Sequence, residues 1–190
     1  MNISNFFFKY RSYTPIPLAV GILYFSSPRH AVLEGGVVLL VLGEFMRIWA
    51  VRYAGGATRT MAVGAPFLCT SGPFSRVRNP LYIGNMMIYT SFVLIAGNEN
   101  LWVMMGATWM FFIVQYSLIV SLEENALFKL FGDEYNIYRR NVSALIPRIS
   151  PWKGGAPTNP GRLLKTLKTE KRTLQNIVLV LLLVFLRNQI

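Results

Sequence analysis

The chain has 190 residues, of which 53% are hydrophobic and only 14% charged, with a formal net charge of +11. That charged fraction is about half of what an ordinary soluble domain carries, and the mean hydropathy of +0.41 points away from one. One cysteine, Cys69, leaves no place for an intrachain disulfide, and one histidine, His30, argues against histidine-based metal centres and Ser-His-Asp triads.

Several apolar runs approach the roughly 20 residues a helix needs to cross a bilayer. A helix satisfies its own backbone hydrogen bonds in lipid and an open sheet does not, so an all-α integral membrane protein is expected. Arginine and lysine cluster between apolar runs and in one tail. That is the pattern of membrane topology and of contact with anionic headgroups, not a nucleic-acid footprint. Membrane lipids are therefore expected partners and nucleic acid is not; oligomeric state is not legible.

Lys9 and Arg11 precede a first apolar segment, Pro15 to Phe25 or Ser27. SSPRH fits a signal-peptide cleavage site poorly, so the segment is read as a mature helix, either a short span or a tilted interfacial piece. The second span, Ala31 to Ala54, carries Glu34, Glu44, Arg47 and Arg52. Glu44 and Arg47 share a helix face; charges in a membrane helix turn inward and mark either function or a structural ion pair. Arg52 can snorkel to the surface. GGATRT, residues 55–60, reads as a flexible turn without P-loop spacing.

The third and fourth spans, 80–97 and 101–122, are separated by Asn98, Glu99 and Asn100, which forces an antiparallel helical hairpin. Beyond Leu122, apolar residues recur at Ala126, Leu127, Leu130 and Phe131 with helical spacing. Gly132 interrupts the pattern, and Asp133 can cap a short helix after it. Residues 150–162 are Pro- and Gly-rich and read as a linker. Ile177 to Leu186 is an apolar stretch suited to a fifth span or an in-plane anchor.

The expected fold is thus an all-α, polytopic integral membrane helical bundle of four to five transmembrane helices. It has a hairpin (80–97, 101–122) and a cytosolic amphipathic C-terminal segment. Residues 1–149 form the membrane domain, 150–173 a basic linker and 174–190 an apolar helix. The hairpin loop has no Lys or Arg, whereas the tail from Glu123 to Thr173 has ten. The positive-inside rule therefore puts the N-terminus, the 55–79 loop and the tail in the cytosol.

The stretch SRVRNPLYIGN, residues 75–85, opens the third span. Asn79 suits an N-cap and Pro80 the first helical position. The helix N-terminus with Arg76 and Arg78 favours an anion, and Arg78 can grip a carboxylate or phosphate through its fork. The hairpin brings Glu123 and Glu124 back to the level of Asn79, with Tyr82 one turn inside. The result is a bipolar pocket at the lipid–water boundary, suited to a zwitterionic cofactor. Singly, each group also has a bland reading as a topology signal or a solvated helix end; Phe67, Phe74 and Trp109 read as packing or interfacial residues.

RNPLYIGN, followed by EENALFKLFGDEYNIYRR and ending near Ile146–Pro147, resembles the isoprenylcysteine carboxyl methyltransferase and phospholipid methyltransferase superfamily. The resemblance covers residues 67–149. It implies S-adenosylmethionine as cofactor, held at the cytosolic face by the hairpin with the tail folded over it. Carried over by position, it places Arg78, Asn79, Tyr82, Gly84, Glu123, Glu124, Tyr135 and Tyr138 at the cofactor. Arg78, Glu123 and Arg139 are the expected catalytic residues. Asn79 stands where the family often has histidine, so positioning there survives but acid–base chemistry does not. A lipid or lipophilic, even prenylated, acceptor is implied, with Glu123 or Glu124 as base where the acceptor must lose a proton. Membrane sterol reductases, which bind NADPH, resemble the same hairpin-plus-tail plan, and a non-catalytic membrane scaffold is the third reading.

Overall fold

A computed structural model describes residues 2–27, 30–55 and 63–189. The Gly56–Thr60 portion of the 55–60 turn, including Arg59, and Pro28–Arg29 of SSPRH lie outside the described residues. All regular structure among the described residues is helical: α1 (Ile3–Tyr10), α2 (Ile16–Tyr24), α3 (His30–Ala54), α4 (Pro80–Ala96), α5 (Leu101–Asn141) and α6 (Leu163–Arg187), with a 3-10 turn at Gly72–Ser75.

The hairpin is formed by α4 and α5. Pro80 begins α4, and Gly97, at φ 63°, ends it by donating its N–H to the Val93 carbonyl. Asn98 Oδ1 accepts from Asn100 N at 2.6 Å and tightens the loop. Three side-chain bonds tie the hairpin together in antiparallel order. Trp109 Nε1 donates to Thr90 Oγ1 (3.0 Å), Asn85 Nδ2 to the Tyr116 hydroxyl (2.9 Å), and the Tyr82 hydroxyl to Glu123 Oε2 (2.8 Å).

Helix α3 lies antiparallel against the other side of α4, along a seam of glycines. A Cβ on Gly84 would stand 2.6 Å from Arg47 Cγ and 2.9 Å from the Gly43 carbonyl; one on Gly36 would stand 2.7 Å from Ile95 Cγ1. Small residues let helix backbones approach closely where lipid gives no hydrophobic drive to association. α2 and α6 pack at the loop end of the hairpin, where Ile22, Ile177 and Val184 join Ile88, Phe92, Val93 and Ala96. α1 packs at the other end, with Phe8 against Phe112, Tyr116 and Ile119.

Four features differ from expectation. α1 has no counterpart in the sequence reading; its eight residues are too few to show a period, and Asn2 caps it by accepting from Ser4 N at 3.3 Å. α5 does not stop near Leu122 but runs on to Asn141, broken only at Gly132, whose φ of 50° and ψ of −121° are non-helical. Asn79 sits at the N-cap but makes no capping bond, and its Nδ2 donates to the Ala144 carbonyl in the tail. α6 begins at Leu163, inside the stretch read as linker.

One helix among the described residues, α5, is long and apolar enough to cross a membrane, and α4 is apolar but shorter. α3 and α6 each have 25 residues but carry several charges. The nine residues of α2 rise about 14 Å, well short of a roughly 30 Å hydrocarbon core.

Candidate functional site

The end of the hairpin away from its loop gathers the charges that the sequence separates. Arg78 lies just before α4, and its backbone N–H donates to the Ser143 carbonyl at 2.9 Å. Its side chain, 10% exposed, closes on Glu124 with Nη2 at 2.5 Å and Nε at 3.2 Å. Its remaining arm, Nη1, donates to the carbonyls of Arg139 (3.0 Å) and Val142. The fork expected to grip an external anion is thus engaged within the chain. Asn79 acts alongside it, donating both N–H and Nδ2 to the Ala144 carbonyl at 3.2 and 3.1 Å. Further on, Arg148 N bonds the Arg76 carbonyl and Trp152 N the Ser75 carbonyl, so the tail runs back along residues 75–79.

Arg139 reaches the second oxygen of Glu124 at 3.4 Å while 56% of its side chain stays exposed. Glu124 therefore bridges a buried arginine and an open one. Beside it, Glu123 accepts from Tyr82, whose ring stacks on Tyr116 with centroids 4.2 Å apart. Arg11, at the end of α1, is near enough to act on the Glu123 carboxylate electrostatically.

The bend at Gly132 turns the last part of α5 back toward this cluster. Glycine takes a positive φ without the Cβ clash other residues suffer. As a result Tyr135 and Tyr138 are buried with Leu68 and Val142, against Trp152. The Tyr138 hydroxyl donates to the Phe74 carbonyl at 2.7 Å, and Tyr135 is close enough to interact with Glu124. Cys69 lies nearby; burial pushes its thiol up to about 11, against a smaller opposing backbone hydrogen bond from Ser71. Only the thiolate is a nucleophile, so this cysteine is chemically quiet at neutral pH.

The structure therefore brings Arg78, Asn79, Tyr82, Glu123, Glu124, Tyr135, Tyr138 and Arg139 to one end of the hairpin. Gly84 is placed elsewhere, facing α3 in the glycine seam. Sequence reading missed Arg11, Asn85 and Tyr116. Asn85 and Tyr116 could have been found as polar groups within apolar helices, which rarely face lipid. Glu44 and Arg47 approach at 3.9 Å, but the closer partner of Arg47 is Glu170 on α6, at 2.6 Å. Among the described residues, no three His, Cys, Asp or Glu side chains are grouped to hold a metal ion.

A family model described as phospholipid methyltransferase matches residues 32–134, just over half of the chain. The match takes in α3, α4 and α5 as far as the Gly132 bend, and with them Arg78, Asn79, Tyr82, Glu123 and Glu124. Among curated proteins, a nickel-cobalt-cadmium resistance protein of Alcaligenes xylosoxydans xylosoxydans is 26% identical over 120 residues, 63% of this chain and 52% of its own length. A cobalt-zinc-cadmium resistance protein of Cupriavidus metallidurans is 31% identical over 119 residues, 63% of this chain and 49% of its own length. The chain thus spans about half the length of the curated relatives it matches. No solved structure matches.

Proposed function

We propose, since the chain belongs to the phospholipid methyltransferase family, that it transfers a methyl group from S-adenosylmethionine to a lipid or lipophilic acceptor at the cytosolic face of a membrane. In this reading the helices form a polytopic bundle of four to five spans, with the N-terminus and the charged end of the hairpin in the cytosol. The observation that carries it is that the Tyr82–Glu123 bond and the Glu124–Arg139 pair lie side by side at one end of an apolar hairpin.

The donor set suits the cofactor's charges. Glu123 and Glu124 would receive its ammonium or ribose hydroxyls. Arg139, with an exposed guanidinium, would receive its carboxylate through paired hydrogen bonds. Asn79, Tyr135 and Tyr138 would form the wall, with Gly84 keeping α3 close behind it. Bound there, S-adenosylmethionine supplies a methyl group already activated on a sulfonium. The protein then has to position the acceptor and exclude water. An ionised carboxylate acceptor needs no base; an amine acceptor gives up a proton, which Glu123 or Glu124 would take. Arg78 acts as a positioning residue, because its fork is committed to Glu124 and the tail.

The curated relatives carry metal resistance in their names. For this chain we read any such role as a consequence of methylating a membrane constituent rather than of holding the metal.

The test is binding of S-adenosylmethionine against NADPH to detergent-solubilised protein by calorimetry. S-adenosylmethionine should bind, and Glu123→Gln should weaken it about tenfold, the scale of one lost charge-assisted hydrogen bond. Binding of NADPH instead would favour a reductase, and binding of neither a scaffold.

A further inference from the structure

Arg47 and Glu170 form a charge pair deep in the helix bundle. Glu170 is fully buried and Arg47 is 7% exposed. Taking two charges out of water costs several kcal/mol per ion, and apolar residues of similar size often replace such a pair without loss. Stability alone is therefore a weak reason for it.

Its geometry offers another. The guanidinium divides its donors between two helices. Nε (3.0 Å) and Nη2 (2.6 Å) go to Glu170 Oε2, and Nη2 also reaches Thr173 Oγ1 at 3.1 Å, both on α6. Nη1 goes to Asn85 Oδ1 on α4. The fork is planar and rigid, so fixing one edge aims the other. With its oxygen on Arg47, the Asn85 amide presents Nδ2 to the Tyr116 hydroxyl at 2.9 Å. Tyr116 stacks on Tyr82, and Tyr82 donates to Glu123 at 2.8 Å. One line of contacts thus runs from α6 through α3, α4 and α5 to the site. Glu44 stands 3.9 Å from Arg47 Nε on the same helix.

We infer that the buried Arg47–Glu170 pair is a positioning device, by which α6 sets the orientation of Asn85, Tyr116 and Tyr82 and so of Glu123. α6 lies outside the matched family segment, and its contribution to a methyl-transfer site rests on the function proposed above.

The experiment replaces Tyr82 with 3-fluorotyrosine and follows its fluorine resonance in otherwise unaltered protein, in Glu170→Gln and in Asn85→Leu, with S-adenosylmethionine affinity measured alongside. Asn85→Leu cuts the line while leaving the pair that docks α6. Both variants should move the resonance in the same direction and weaken S-adenosylmethionine binding about tenfold, within the range of coupling seen for residues in one network. An unmoved resonance in folded Glu170→Gln overturns the inference. So does a shift in Glu170→Gln that Asn85→Leu fails to reproduce, since it then reflects lost docking. Should Glu170→Gln fail to fold, Thr173→Val, which removes the other α6 partner of Arg47, takes its place with the same expected and contrary results. If the unaltered protein binds no S-adenosylmethionine, the proposed function fails, while the resonance still reports on the relay.

Discussion

Arg78 and Arg139 hold the same carboxylate, Glu124, from opposite environments. Arg78 is nearly enclosed, and its donors are divided between Glu124 and two tail carbonyls. Removing it leaves a half-buried carboxylate with a weaker partner and releases the chain after α5. Arg78→Ala should therefore cost about 3 kcal/mol of stability, as expected for breaking an enclosed pair. Arg139 is mostly exposed, and its contribution to stability should stay below about 1 kcal/mol. Arg139→Ala should leave the melting temperature nearly unchanged while weakening S-adenosylmethionine binding several-fold. Thermal unfolding in detergent combined with calorimetry separates the two; equal melting losses for both variants would contradict this division of roles.

Among the elements, α5 is the one whose shape makes the site. Its first part is an apolar rod paired with α4, and its last turns are redirected at Gly132 so that Tyr135 and Tyr138 face Trp152 and Phe74. A Cβ at Gly132 would meet nothing within 4 Å, so space does not oppose a side chain there; the φ of +50° does. Gly132→Ala should cost about 1–3 kcal/mol, because φ 50° with ψ −121° is a sparsely populated conformation that a Cβ opposes. Because alanine favours a straight helix, it should also pull the tail off residues 75–79. A lower melting temperature together with faster amide exchange at Trp152 would show it; unchanged exchange there would place the tail's anchorage elsewhere.

The hairpin was legible because a very short connection between apolar runs allows only one geometry, and the Gly132 break because glycine stands alone within a helical period. The end where Arg78 meets Glu124 followed from the similar rises of the apolar runs 80–97 and 101–122. Other features were not legible. α1 is too short to show a period, and its packing is decided by Phe8 finding Phe112 and Ile119 far along the chain. Glu44 was visible as a neighbour of Arg47, but Glu170 lies 123 positions away, and no local pattern announces so distant a partner. The tail contact of Asn79 was equally hidden: its Nδ2 donates to the Ala144 carbonyl, 65 positions on.

At the scale of the whole molecule, the matched family segment spans α3 to the Gly132 bend, while α1, α6 and the returning tail pack around it. The tail closes the charged end, and α6 inserts the only glutamate of its helix beneath it. The function proposed for these parts is that the hairpin's charged end holds a methyl donor beside the membrane. The most direct measurement incubates purified, detergent-solubilised protein with a lipid extract and methyl-labelled S-adenosylmethionine and follows label into the lipid fraction. Label should enter an extractable lipid with the unaltered protein and fall at least about tenfold with Glu123→Gln, the scale of losing a general base or a charged hydrogen bond. Folded protein that moves no label, or a Glu123→Gln variant that moves it equally well, would contradict it.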